Sequence, residues 1–367
     1  MTNQNTLQLY PSNWLYNAGV IGFLRILEPI NKKSVEEFIN NKTESIISIP
    51  PNSEDMLLNK WKELSIESKK NTSPLYGRKG YYANQTDNSI KNKIALLTRK
   101  ETSENKNKNK TRKSLPEYSC IFCTNKVKVG KTNATFLNQS FGKLLLGSEK
   151  TFRNMYWNNE AHDFVCEKCE FIIICHHLAF TNLSDKSEIF INAPSFQIMY
   201  YLNKFTQEIF GSSPIQDARS KREILAMSVI EYATKIQANL ASWVGMNIEI
   251  ISRHGDKIEF FSLPYEVTKL LADRRIAAIL SQIGEYSILN LVLDQDFSSL
   301  MEMGYRLLRI GLIPKQYRGK NEKDFVNQIL QLEKNRWDPA LVAQQIFQLC
   351  AYIHEKHKTN AYGYHKH

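Results

Sequence analysis

Two Cys-x-x-Cys pairs, Cys120/Cys123 and Cys166/Cys169, constrain this chain more than any other feature. Four thiolates on two such turns make up the tetrahedral donor set of a structural zinc site, and a fold built on that site must bring the two turns together. Each pair follows an aromatic or aliphatic approach, Tyr118-Ser119 and Phe164-Val165, and leads into a polar turn. A thioredoxin-like dithiol needs one pair in a βαβ context rather than two, and unligated structural thiols are the other alternative. The 42 residues between the pairs exceed the spacing of a ribbon or finger, so the second turn returns to the first after an inserted subdomain. Cys175, His176 or His177 could replace a thiolate, but they follow the apolar run Ile172-Ile173-Ile174, where packing against the knuckle is the commoner role.

At 367 residues the chain is long enough for two or three units, each with its own core. Periodicity predicts an α+β protein, with an irregular zinc-stapled N-terminal domain followed by a mainly helical C-terminal domain. The expected divisions are an N-terminal α+β region with a basic loop (1–113), a four-cysteine zinc region (114–192) and a helix-rich region with one β-hairpin (193–367). Residues 12–28 read as a buried helix capped by Ser12 or Asn13 and stopped by Pro29, in which Gly19 and Gly22 permit close backbone approach. Further helices are expected over 35–40, 57–66, 194–210, 216–244, 266–283, 298–310, 324–335 and 339–357, with an extended run at 46–49 and a hairpin over 248–263. Asp296 and Asp338 read as helix N-caps, and Cys350 lies on the apolar stripe of the last helix.

The formal charge is +11, and +7 of it falls between Lys91 and Lys113, where nine Lys or Arg face two Glu. A flexible cationic loop of this kind tracks phosphates without reading bases, which makes Lys106, Lys108, Lys110, Arg112 and Lys113 candidate contacts to a nucleic-acid backbone. The same composition also describes a solvated linker in a chain rich in Lys and Asn. Just upstream, Arg78, Lys79, Tyr81, Asn84 and Gln85 interleave basic, aromatic and amide side chains among glycines, the types that grip phosphates, stack on bases and pair with base edges. A surface turn is the plain alternative there.

Cysteine usage fits a reducing compartment, and the apolar stretch Trp14–Leu27, interrupted by Arg25, is too short to span a bilayer. The expectation is a cytoplasmic protein with no membrane contact. A catalytic reading finds little support. His162-Asp163 matches the dyad of metal-dependent phosphohydrolases but lacks further ligands on surrounding helices. The zinc-deaminase pattern fails on both halves, since His162 is followed by Asp163-Phe164 and Val165 precedes Cys166. No P-loop, dinucleotide-binding glycine motif or nucleophile elbow is present. The runner-up class is a zinc-dependent nuclease or hydrolase using His162, Asp163 and His176, and a third is a protein-interaction adaptor for which the basic tract is dispensable.

The opening block from Leu9 to Leu24, Leu-Tyr-Pro-Ser-Asn-Trp-Leu-Tyr-Asn-Ala-Gly-Val-Ile-Gly-Phe-Leu, followed by the two intact Cys-x-x-Cys pairs, resembles the CRISPR-associated CXXC-CXXC family, which supplies the large subunit of type I-B Cascade. The likeness covers roughly the first half of the chain. It implies a non-catalytic, RNA-guided surveillance subunit that recognises the protospacer-adjacent motif and helps open the target duplex, beside the Zn2+ that the cysteine spacing predicts. Its implied partners are guide RNA, target DNA, the other Cascade subunits and a recruited helicase-nuclease. In such subunits the N-terminal part touches the motif duplex and the C-terminal helices line the unwound strands, while guide pairing reads the protospacer.

Overall fold

A helix without a polar face organises the first of two units. In α1 (Trp14–Leu27), 13 of 14 residues are buried, with Arg25 the exception. In a computed structural model, the residues described are 5–41, 46–70, 87–98, 115–130, 134–136, 163–183, 187–210, 221–235, 248–254, 257–330 and 338–363. The chain divides into one unit of Met1–Gln216 with Ile251–Phe260 and a second of Asp217–Ile250 with Phe261–His367. The mixed α+β character and the helical C-terminal region agree with the sequence expectation, and residues from both 1–113 and 114–192 fall in the first unit.

The first unit begins with β1 (Asn5–Gln8), paired antiparallel with β2 (Ile46–Ile49) so that Leu7 faces Ile47. Asn13 caps α1 by accepting the Tyr16 N–H at 3.0 Å, and Pro29 follows the helix end. Then come α2 (Lys32–Asn40), α3 (Glu54–Lys70) and α4 (Asp87–Thr98). The cysteine segment contributes β3 (Glu117–Ser119), β4 (Lys126–Lys128), β5 (Thr135–Phe136), β6 (Phe164–Val165) and α5 (Glu167–Ile174), which runs into a 3-10 turn at Cys175–Ala179.

Two glycines let α1 lie against this segment backbone to backbone. A Cβ on Gly19 would sit 2.3 Å from the Ile172 carbonyl oxygen, and one on Gly22 would sit 2.0 Å from that of Cys175. Neither position has room for a side chain. Around this contact Phe23 and Phe171 meet edge to face at 6.3 Å, and Arg25 donates to the Leu178 carbonyl at 2.6 Å.

A four-stranded sheet follows. β7 (Thr181–Asn182) pairs with β8 (Glu188–Asn192), β8 lies beside β9 (Glu249–His254), and β9 beside β10 (Lys257–Ser262). The expected hairpin therefore extends a sheet begun some sixty residues earlier. Arg253 of β9 meets Glu188 of β8 at 2.8 Å, both buried, and its guanidinium lies 3.8 Å above the Phe180 ring. Here α6 (Phe196–Phe210) packs on the sheet, with the buried Asn203 amide bonded to both backbone groups of Ile191.

The second unit contains α7 (Lys221–Lys235), α8 (Tyr265–Leu271), α9 (Arg274–Ile283), α10 (Tyr286–Leu293), α11 (Phe297–Leu312), α12 (Lys320–Ile329) and α13 (Pro339–Gly363). The single helix expected over 266–283 is broken at Asp273, whose carboxylate accepts the Arg275 N–H and is held by Lys356 at 2.9 Å. That side chain offers the backbone a cap, and a tertiary partner fixes it there. α10 was not foreseen. Asp296 and Asp338 cap α11 and α13 as expected, and Cys350 is buried.

Candidate metal centre

The first cysteine turn hangs between β3 and β4, which pair with Ser119 opposite Lys126. Thr124 takes a left-handed conformation (φ 59°), its N–H bonds to the Cys120 carbonyl at 2.9 Å, and the Cys120 N–H bonds to that of Asn125. This tight reversal aims Cys120 and Cys123 the same way. The second turn is a strand-to-helix junction. Cys166 is the N-cap of α5, its carbonyl accepting the Glu170 N–H, and Cys169 lies in the first helical turn. Sulfurs at a helix N-terminus sit at the positive end of the backbone dipole, which favours the thiolate. The Ile121 N–H bonds to the Phe164 carbonyl at 3.0 Å and ties one turn to the other. Tyr118, Phe136 and Phe164 form a ring cluster beneath them, with centroids 5.4 to 6.1 Å apart.

All four Sγ atoms lie within 4.8 Å of one another and all four residues are buried, with Cys123 and Cys166 at 3.6 Å. Tetrahedral zinc with Zn–S bonds of about 2.3 Å requires Sγ separations of about 3.8 Å. Hydrogen bonding within the cluster, first from Cys123, drives the Cys120 thiol far below its ordinary range, while bonding to Cys120 pushes Cys169 far above it. Four sulfurs this close cannot all ionise unless a cation sits among them, and four thiolates are the donor set that holds one. The geometry fits a single tetrahedral metal ion.

The alternative ligands are not part of this cluster. His176 is fully buried, with Nδ1 at 2.8 Å from the Ile173 carbonyl, and burial with Arg253 nearby lowers its pKa to about 3. His177 bonds to the Ile174 carbonyl through Nδ1 and to the Ser65 hydroxyl through Nε2 at 3.0 Å. Burial raises the pKa of the Cys175 thiol well above its usual value. Among the described residues the metal-binding group is the four cysteines alone. Asp163 directly precedes β6, whereas His162 lies outside the described residues, so the pair proposed for a hydrolase is described at one member only.

Sequence reasoning missed Tyr16. Its hydroxyl lies 3.8 Å from Cys169 Sγ and its ring stacks on Phe122, centroids 4.2 Å apart and planes 3° off parallel. Burial, then the neighbouring sulfurs, raises its pKa well above 10, so the phenol keeps its proton. The only available signal was its place in the N-terminal block that carried the family resemblance. Also missed was Glu170, beside Cys169, whose carboxylate is 2.7 Å from Lys93 of α4.

The candidate nucleic-acid residues Arg78, Lys79, Tyr81, Asn84, Gln85, Lys106, Lys108, Lys110, Arg112 and Lys113 all lie outside the described residues. The start of the cationic tract, expected to be a loop, is helical: Lys91 and Lys93 are on α4, ion-paired with Asp55 and Glu170. A different basic surface occurs in the second unit. Between Tyr305 and Lys323 the chain carries six Lys or Arg against one Glu. Of these, Arg309, Lys315, Lys320 and Lys323 are exposed and form no ion pair with a described residue. Tyr305 and Tyr317, 63% and 74% exposed, stand among them. On α11, Tyr305, Arg309 and Leu312 follow at i, i+4 and i+7 along one exposed face. Arg318 anchors the following turn by donating to the carbonyls of Ile313 and Gly311, at 2.9 and 3.5 Å.

The first unit is thus an α+β domain with a buried four-cysteine centre clamped by its N-terminal helix. Residues 113–181, which contain all four cysteines, match the family described as CRISPR-associated protein (Cas_CXXC_CXXC). That match supports a CRISPR-associated role. Comparison with curated proteins and with solved structures gives no match. Among the described residues no helix is long and apolar enough to cross a membrane.

Proposed function

We propose that this chain is the non-catalytic large subunit of a type I-B CRISPR Cascade complex. In this role it recognises the protospacer-adjacent motif, aids duplex opening and recruits the helicase-nuclease. The observation that carries the reading is the family match over a segment whose four cysteines form one closed cluster. The metal is Zn2+ and its role is structural, because four thiolates fill a tetrahedral shell and leave no position for a water to be activated. When bound, the ion supplies the positive charge that lets four buried thiolates coexist. Cys120 and Cys123 hold the β3–β4 turn on it, and Cys166 and Cys169 hold the start of α5.

Nucleic-acid contact is supported by the cations and tyrosines of α11 and the segment after it, which combine phosphate-binding charge with exposed rings. The cationic tract 99–113 adds sequence-independent attraction. Expressed with a tag in cells carrying a matching CRISPR locus, the protein is expected to co-purify with guide RNA and partner subunits. The purified chain is expected to leave motif-bearing duplex uncut in the presence of divalent metals. Recovery without RNA would remove the surveillance role. Cleavage by the pure chain, abolished by His162→Ala or Asp163→Ala, would install a hydrolase in its place.

A further inference from the structure

We propose that Tyr16 belongs to the metal centre without ligating the ion: its hydroxyl donates to the Cys169 thiolate, and its ring, stacked on Phe122, shuts the sulfurs off from solvent. This rests on the reading of the four cysteines as a zinc site. Tyr16 Oη is 3.8 Å from Cys169 Sγ, within reach for a large sulfur acceptor, and both residues are completely buried. A metal-bound thiolate carries no proton, so the phenol must be the donor. The bond draws charge from one of four sulfurs crowded on one ion, relieving their repulsion and orienting Cys169 at the start of α5.

The ring has a separate task. Phe122 lies inside the first cysteine turn, between Cys120 and Cys123, and the nearly parallel stack fastens that turn to α1. Tyr16 therefore touches both turns, the first through its ring and the second through its hydroxyl. Asn13 and the glycine contacts at Ile172 and Cys175 fix α1 on either side of it. Helix α1 thus forms the wall of a site whose first ligand, Cys120, lies more than a hundred residues after Tyr16.

The test compares the zinc-loaded full chain with Tyr16→Phe and Phe122→Leu, using chelator competition for zinc and the thiolate-to-cobalt charge-transfer band of Co(II)-substituted protein. Tyr16→Phe keeps the ring, and is expected to bind zinc about tenfold more weakly and to shift the cobalt band. Phe122→Leu keeps the hydroxyl, and should speed zinc transfer to the chelator while leaving the band in place. A Tyr16→Phe protein with the parent's zinc affinity and cobalt spectrum overturns the proposal, as does one that loses thermal stability with an unmoved band. A parent chain that holds no metal fails differently, because it removes the zinc reading itself.

Discussion

Gly22 sits so close to Cys175 that a Cβ added to it would lie 2.0 Å from the Cys175 carbonyl oxygen. The atom in the way is backbone, in the 3-10 turn that continues α5, and it cannot swing aside. Gly22→Ala must therefore push α1 away from the segment that presents Cys166 and Cys169. Overpacking of this kind costs about 3 kcal/mol, at the upper end of the usual range. Thermal unfolding should show a large drop for Gly22→Ala and a comparable one for Gly19→Ala. Parent-like melting of both would mean that the helix contact is looser than described.

Zinc should be present at one ion per chain. Structural zinc contributes on the order of 10 kcal/mol to the folding of its module, so Cys166→Ser is expected to lose the metal and much of the stability of the first unit. Elemental analysis with thermal unfolding checks this. Unchanged zinc content would remove the four-thiolate assignment.

Two basic segments should act on nucleic acid in the same sequence-independent way. Replacing Lys106, Lys108, Lys110, Arg112 and Lys113 by Ala is expected to flatten the salt dependence of DNA binding while leaving sequence preference intact. Replacing Arg309, Lys315, Lys320 and Lys323 should do likewise. Alanine at Tyr305 and Tyr317 should weaken single strands more than duplex, because only unpaired bases present their faces for stacking. Motif preference, in contrast, should respond to Arg78, Lys79, Tyr81, Asn84 or Gln85. Binding of duplex and single-stranded DNA, with motif and scrambled sequences over a salt series, separates the phosphate-binding cations, the stacking tyrosines and the motif readers.

His176 gives the fold an acid-side dependence. Burial lowers its pKa from 6.5 to about 3, so below pH 6.5 the unfolded chain takes up a proton that the folded chain refuses. Its contribution to stability is complete above pH 6.5 and is lost progressively as pH falls toward 3, at up to about 1.4 kcal/mol per unit. His176→Gln retains an amide donor for the Ile173 carbonyl but does not titrate. Denaturant unfolding from pH 7 to 4.5 should show a shallower decline in the variant than in the parent. Parallel declines would mean that His176 takes up its proton alike in the folded and unfolded chains.

Much of the metal centre was legible in the chain itself. Cys-x-x-Cys spacing sets two sulfurs on one turn whatever the rest of the fold does, so Cys120, Cys123, Cys166 and Cys169 could be grouped before any contact was known. α1 was equally plain, because an apolar run between an Asn cap and a proline has one local solution. Its paired glycines announced a close neighbour without saying which. Local rules of this kind also placed Asp296 and Asp338, whose caps depend on residues two or three positions away.

What tertiary structure alone decided is what depends on partners far along the chain. Gly19 and Gly22 met Ile172 and Cys175, Tyr16 met Cys169, and β9 joined β8 through the Arg253–Glu188 pair. Lys91 and Lys93, read as cations of an open loop, lie on a helix and face Asp55 and Glu170. Charge counted along a sequence does not separate cations neutralised by a distant acid from those left exposed, such as Arg309 on α11. Spacing along the chain carries turns, caps and ligand pairs because they close within a few residues. A helix's neighbour, a ring stacked over a thiolate turn or an acid opposite a lysine is selected only when the whole core packs.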